Sequence, residues 1–347
     1  PMNSSEFLVS VVTPVFNAAR FLRRSVEAAV HQREVGEIIL IEDASPDESL
    51  AVCKQLASEH EKVRLLQHPD RKNHGAGASR NLGIKSARFD YVAFSDADNF
   101  YLPNRFEVDK DVFLSDESID GVYGMEGIHY YSEEARKIFA DNIEGELADH
   151  ETLTVSDRCP PDELYLVWLG EHPSIHGEFG MDAITVRKRI FEKSGLFEPS
   201  LRLQQDHDLF TRFATVGKLV AGSIDNPIAL RGVHENQRMT DLEAQYKYSA
   251  MRMENLYKWF YENISDKQKL QAIDRAYWKF RLLRSSGRNS LVPTIRATWS
   301  HGWSALVEPY GIFDQGMHKF LGERWVANRV LSAKRRVTRT LGAGING

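Results

Sequence analysis

The chain predicts an α/β fold, with a mostly parallel central sheet covered by helices on both faces and followed by a C-terminal helical region. Three observations carry this expectation. Apolar runs of strand length alternate with helix-period segments up to residue 95. The connections between them are short, as in successive βα units. Two acids, Asp96 and Asp98, stand where the fourth run ends, and ligands bind such sheets beyond the carboxyl ends of the strands.

Residues 8–13 (LVSVVT) form the first strand. Residues 19–31 have helical spacing, with Phe21, Leu22, Val26 and Val30 apolar. Residues 37–41 (EIILI) are the second strand, ending at Glu42 and Asp43. Ser45 is expected to cap the next helix, with Pro46 at its first position and Glu48 at capping-box spacing. Residues 63–67 are the third strand, and a glycine-rich loop, His74-Gly-Ala-Gly-Ala-Ser79, leads into a helix through Ala87. Residues 91–95 are the fourth strand. Asn17, Asp43, Asp96 and Asp98 then all lie at the ligand-binding end of the sheet. Side chains two apart on a strand share a face, so Asp96 and Asp98 project together. Paired carboxylates of this kind suit a hard divalent cation, which takes oxygen ligands and bridges protein to phosphate.

Residues 126–180 break the rhythm. Tyr130, Tyr131, Tyr165 and Trp168 mix there with acids and Pro160-Pro161, which reads as an irregular insertion over the sheet. Regular structure resumes with a strand at 182–186, a helix at 206–216 and a short strand at 218–221. Residues 241–284 are helical and rich in aromatics, and the last segment carries Trp299, Trp303 and Trp325. The expected division is a catalytic domain over 1–240 and a helical, basic region over 241–347.

Composition narrows the function classes. Hydrophobic residues make up 42% and charged residues 27% of the 347, as in ordinary soluble domains. No stretch approaches the roughly 18 apolar residues of a membrane span. The start lacks a basic segment followed by an apolar one, so the expected location is cytoplasmic, or peripheral at the inner face of a membrane. Two cysteines, Cys53 and Cys159, provide neither a disulfide framework nor a CxxC metal pair. From residue 281 onward eleven basic residues face three acidic ones, a net +8 against −13 for the rest. Such a tail suits an anionic membrane surface, with its tryptophans at the interface, or a homo-oligomerisation arm. Nucleic acid is not expected as a partner, because the remainder is acidic.

Four blocks bring a family resemblance. Val11-Val-Thr-Pro-Val-Phe-Asn17, Ile41-Glu-Asp-Ala-Ser-Pro-Asp47, Gly77-Ala-Ser-Arg-Asn-Leu-Gly83 and Phe94-Ser-Asp-Ala-Asp98 resemble the family 2 glycosyltransferases of GT-A fold in order and spacing. Ser194-Gly-Leu-Phe-Glu-Pro-Ser200 and Gln205-Asp-His-Asp-Leu209 extend the likeness, which covers about residues 7–240. The resemblance implies an inverting enzyme of hexosyltransferase type. It would move a sugar from a UDP-sugar to a hydroxyl of a glycan or lipid-linked acceptor, in cell-surface polysaccharide or glycoconjugate synthesis.

The same resemblance assigns residues. Thr13, Pro14, Val15 and Asn17 would lie against the nucleoside, Asp43 would read the uracil imide N–H, and Arg80 would contact the donor near Asp96. Asp98 would ligate Mn²⁺ or Mg²⁺, with Asp96 and Ala97 at the donor and Asp96 on the ribose or a metal-bound water. His234 would complete the metal shell, which favours Mn²⁺. Asp206 would be the general base, although Gln205 replaces the usual glutamate before it, and Asp208 is the fallback. His176 and Glu178 are acceptor-pocket candidates. Two other readings compete: a degenerate GT-A domain that binds or scaffolds, and a sugar nucleotidyltransferase. The second would want a glycine-rich signature after the first strand, where this chain reads Pro14-Val-Phe-Asn-Ala-Ala19.

Overall fold

Seven strands of the computed structural model, which describes residues 7–142, 152–235 and 242–285, form one sheet, and four form a second. In chain order the first elements are β1 (Val9–Val15), α1 (Ala19–Val30), β2 (Val35–Glu42), α2 (Ser49–Glu59), β3 (Val63–Gln67), α3 (Ala76–Ser86) and β4 (Tyr91–Phe94). Next come β5 (Phe100–Tyr101), α4 (Glu107–Ser115), β6 (Gly121–Tyr123), β7 (Met125–Tyr130), α5 (Glu133–Asn142) and β8 (Thr152–Leu153). The remainder are α6 (Leu164–Leu169), β9 (Ile184–Arg187), α7 (Ile190–Ser194), α8 (Gln205–Val216), β10 (Leu219–Ala221), β11 (Pro227–Val233), α9 (Leu242–Asn263) and α10 (Lys267–Ser285).

The large sheet runs β10-β6-β9-β4-β1-β2-β3. All its pairings are parallel except those of β9, which is antiparallel to both β4 and β6. This is the mostly parallel α/β sheet that the alternating pattern predicts. β1 is central, and its period-2 alternation divides the interior. Val9, Val11 and Val15 join a core with Leu22 and Val26 of α1, Leu56 of α2 and Phe113 of α4. Val12 faces the other way, into a core with Ile84 of α3, Phe210 and Phe213 of α8, and Leu256 and Phe260 of α9. Burying one such aliphatic or aromatic side chain contributes about 1.5–3 kcal/mol.

Two expectations are corrected. Ser45 does not cap α2, which starts at Ser49 with no side-chain cap. Instead Ser45 Oγ accepts the Asn17 N–H at 3.2 Å, and the Asp47 carboxylate accepts the N–H groups of Ala19 and Ser49. These bonds tie the turn after β2 to the start of α1. Residues 126–180 are not simply irregular. They supply β7 and β8 to the second sheet (order β5-β11-β7-β8) together with α5 and α6. The second sheet caps the carboxyl end of β4, so β11 arrives beside the Asp96–Asp98 turn. The described residues up to Phe280 form one compact unit. Ala272, Ile273, Ala276 and Tyr277 lie in the same core as α3 and α8. The expected basic tail falls almost wholly outside the described residues. None of the described helices is long and apolar enough to cross a membrane.

Candidate active site

The turn after β4 is held from four sides. The Asp96 N–H donates to Asp182 Oδ1 at 3.0 Å, and Ser25 Oγ donates to the Asp96 carbonyl at 3.2 Å. Tyr131 Oη donates to the Asp98 carbonyl at 3.0 Å. Gly232 of β11 passes so close that a Cβ there would meet that same carbonyl oxygen at 2.1 Å. A side chain at this position is therefore excluded by backbone, which explains a glycine in an otherwise β-forming strand.

This approach brings His234 to Asp98. Nε2 of the imidazole lies 3.2 Å from Asp98 Oδ2, with the ring stacked on Phe21 at 4.6 Å between centroids. Two donors on one divalent cation, each at about 2.1 Å and at right angles, stand about 3 Å apart, so this pair fits a shared cation. A hard carboxylate with one imidazole suits Mn²⁺ as well as Mg²⁺. Asp96 is not gathered with them. Its carboxylate forms a close ion pair with Arg80 Nη2. Among the described residues no group of three or more His, Cys, Asp or Glu side chains is placed to hold a metal. Phosphate oxygens and water would therefore complete any shell built on Asp98 and His234.

Arg80, from the first turns of α3, is buried and reaches both halves of the site. Nη2 pairs with Asp96, and Nη1 donates to Gln205 Oε1 at 3.3 Å. Gln205 also donates to the Leu201 carbonyl, and its side chain would meet a Cβ at position 77 at 3.0 Å. Glycine at 77 thus leaves room for Gln205 to lie on α3.

Asp206 follows at the start of α8. Its side chain is 45% exposed. His207 Nδ1 lies 3.2 Å from Asp206 Oδ1, and His207 Nε2 lies 2.5 Å from Glu178 Oε2. Burial disfavours charge on His207, but Asp206 and Glu178 outweigh it and push the imidazolium up to about 10. Burial would likewise raise Asp206. The adjacent His207 charge and its hydrogen bonds win and hold the carboxyl well below the usual range. Asp206 is thus ionised throughout the neutral range, as a proton acceptor must be. His207 was not a sequence candidate; its link to Glu178, 29 positions away in the chain, has no local signature.

The remaining candidates separate. Asp208 is buried against Arg212, whose guanidinium also donates to the Ser194 and Leu196 carbonyls. It faces the core and is not available to an acceptor, which removes the fallback base. Glu178 joins the Asp206–His207 cluster. His176 is instead tied to Ser156 through main-chain and side-chain bonds on an exposed edge. Asp43 is buried, with Oδ1 accepting the His74 N–H at 2.8 Å and Oδ2 the Gly75 N–H at 2.7 Å. It fastens the glycine-rich loop, where Gly75 takes φ +86. Thr13 and Val15 are buried in β1, and Ala97 is buried in the turn after β4. Pro14 is half-buried, Asn17 is exposed at φ 55, and Phe16 between them is 40% exposed.

Residues 10–122 match the family described as Glycosyl transferase family 2. An uncharacterized glycosyltransferase of Rickettsia prowazekii is 27% identical over 216 residues, covering 61% of this chain and 60% of that protein. The chondroitin synthase of Escherichia coli is 31% identical over 117 residues, 33% of this chain and 17% of the synthase. The chain thus spans less than two thirds of the length of both relatives. Among solved structures, Staphylococcus aureus TarS 1-349 in complex with UDP-GlcNAc superposes with a TM-score of 0.56 at 13% identity, covering 79% of this chain and 71% of that one. That likeness is one of fold.

Proposed function

We propose that this chain, which carries a family 2 glycosyltransferase domain over residues 10–122, transfers a sugar from a UDP-sugar to an acceptor hydroxyl with inversion at the anomeric carbon. The observation that carries the proposal is the Asp96–Arg80–Gln205 bridge. It puts the carboxylate next to Gln205, that of Asp206, within one arginine's reach of the turn that bears Asp98.

In this reading the nucleoside lies over the ends of β1 and β2, with its base against Pro14 and Phe16. Asp43 shapes that pocket by fixing the 74–75 main chain, and it is assigned the recognition of the base N–H. Arg80 offers positive charge toward the phosphates while holding Asp96 in place. Asp98 and His234 would hold the divalent ion, which, when bound, supplies Lewis-acid stabilisation of the leaving diphosphate. The acceptor oxygen attacks the anomeric carbon as the bond from that carbon to the diphosphate oxygen breaks. Its proton passes to Asp206, and no covalent enzyme intermediate forms. His207 holds Asp206 ionised and oriented. Glu178, half-exposed beside it, lines the acceptor side. A single displacement needs one base opposite the leaving group, and Asp206, at the start of α8, is assigned that role over Glu178, which is equally exposed on the other side of His207. The acceptor is a glycan or a lipid-linked glycan, and contact with an anionic membrane surface is assigned to the basic residues beyond 281.

The test is a donor screen by thermal unfolding and slow hydrolysis, with Mn²⁺, Mg²⁺ or EDTA. At least one UDP-sugar should stabilise the protein in a metal-dependent way, and Asp98→Asn should abolish that dependence. If no nucleotide sugar shifts unfolding under any condition, the reading is wrong, and a scaffold role takes its place.

A further inference from the structure

Asn99 bridges two segments that the chain brings together only late. Its Nδ2 donates to Asp182 Oδ2 at 2.6 Å, and its Oδ1 accepts the Gly232 N–H at 2.9 Å. Asp182, fully buried in the short 3-10 turn Met181–Ala183, uses its other oxygen for the Asp96 N–H. Arg105 Nε fixes the Asp182 carbonyl at 2.8 Å. Gly232 is two residues before His234, and Asp98 is one residue before Asn99. A single amide thus spans from the Asp96–Asp98 turn to the strand that delivers the histidine.

We infer that Asn99 is a positioning residue that sets the spacing between Asp98 and His234, and with it the fit to a divalent cation. The inference rests on the metal reading proposed above. Its physical basis is that an amide has a donor end and an acceptor end, and with Nδ2 on Asp182 and Oδ1 on the Gly232 N–H only one orientation satisfies both. Both partners are buried, Asn99 at 6% exposure and Asp182 at 0%. Water does not readily replace a lost bond there, so a mismatch must be relieved by moving the turn or β11. Displacing either by a few tenths of an ångström alters a donor pair that must match metal bond lengths within about 0.2 Å.

The bridge has a property that makes it testable. Exchanging the two groups, Asn99→Asp with Asp182→Asn, preserves the bonds to the Asp96 and Gly232 N–H groups and the bond between the two side chains. The new amide at 182 accepts the Asp96 N–H and donates to the carboxylate at 99, whose second oxygen still accepts the Gly232 N–H. Each single change fails: Asn99→Asp sets two carboxylates face to face, and Asp182→Asn sets two amide donors face to face. Binding of UDP should be titrated calorimetrically with Mn²⁺ and with EDTA, alongside the Mn²⁺ paramagnetic resonance spectrum. The single variants should lose tenfold or more of Mn²⁺-dependent UDP affinity and broaden the spectrum, while UDP affinity in EDTA stays within twofold. The double variant should return to within about threefold of wild type. If a single carboxylate or amide variant does not fold, Asn99→Ala, which removes both bonds without adding a charge, takes its place in the comparison. Wild-type Mn²⁺ affinity in the single or alanine variants, or a double variant as weak as the singles, overturns the inference. A wild-type protein whose UDP binding ignores Mn²⁺ overturns the metal reading instead.

Discussion

Replacing Asp43 with alanine tests whether this carboxylate builds the loop or only reads a ligand. In the structure both its oxygens are taken, by the His74 and Gly75 N–H groups at 2.8 and 2.7 Å, and the residue is 2% exposed. Hydrogen bonds to a charged group contribute about 1.5–3 kcal/mol each, and a buried N–H left without a partner costs about 1–3 kcal/mol. Some relief comes from no longer burying a charge, and the exposed edge of the loop lets water reach part of the gap. A net loss of about 3 kcal/mol is expected. For a unit of this size each kcal/mol lowers Tm by about 2–4 °C, so the drop should be about 6–12 °C. Urea unfolding followed by tryptophan fluorescence gives the stability, and calorimetric UDP binding gives the affinity. Asp43→Asn should fall between, because its amide nitrogen would face one of the two donors. Stability within 1 kcal/mol of wild type, combined with lost UDP binding, would refute the loop-anchoring argument and leave Asp43 as a pure base-reading group.

Asp206→Asn should lower turnover about 10²–10⁴-fold by removing the proton acceptor, with UDP-sugar affinity held within twofold; near-normal turnover in a quenched assay would place the base elsewhere. The His207 pKa is raised above its ordinary 6.5 to about 10, so its ion pairs add stability that is full below pH 6.5 and lost as pH rises towards 10. His207→Gln should flatten that decline in Tm between pH 6.5 and 10, and an unchanged slope would contradict the assignment. The same variant should raise the pKa of Asp206 and bring an acid limb of kcat closer to neutrality. Gly232→Ala forces a methyl to 2.1 Å from the Asp98 carbonyl; it should cost about 1–3 kcal/mol in chemical denaturation and weaken Mn²⁺-dependent UDP binding.

The sequence made the first four strands readable because β-branched runs such as residues 9–12 and 38–41 are buried on both faces of a parallel sheet and need no partner pattern to be recognised. The second sheet was not readable. β5 and β8 are two residues long, and β7 contains Gly127 and His129, so neither length nor alternation marks them. Asp98 and His234 were found as separate motif residues, and the structure brings them together. The supports of the site escaped notice for a different reason. Asn99 sits beside a conspicuous acidic pair, but its partners lie at 182 and 232. The Asp208–Arg212 ion pair has the i,i+4 spacing of an ordinary helix-surface pair, so the burial that turns Asp208 into the core shows only in the structure.

The insertion of β9 between β4 and β6 has a consequence for how the protein is made. The strand that flanks the Asp96–Asp98 turn is synthesised some ninety positions after it, as β9 begins at Ile184 and β4 ends at Phe94. A nascent chain that has emerged only to the end of the family-matched segment at 122 has β1, β2, β3 and β4 but neither Asp182 nor Gly232. Its Asp96 N–H has no acceptor from Asp182, and β4 presents an unpaired edge where β9 will later sit. Contacts this distant in sequence close slowly, and an open apolar edge in the interval invites pairing with another chain. The half-made chain is therefore a sheet with an open edge and an unfinished turn after β4, and a fragment stopped there should pulse-label as an aggregation-prone intermediate, whereas chains that extend through α10, whose Ala272, Ile273 and Tyr277 complete the core with α3 and α8, should not.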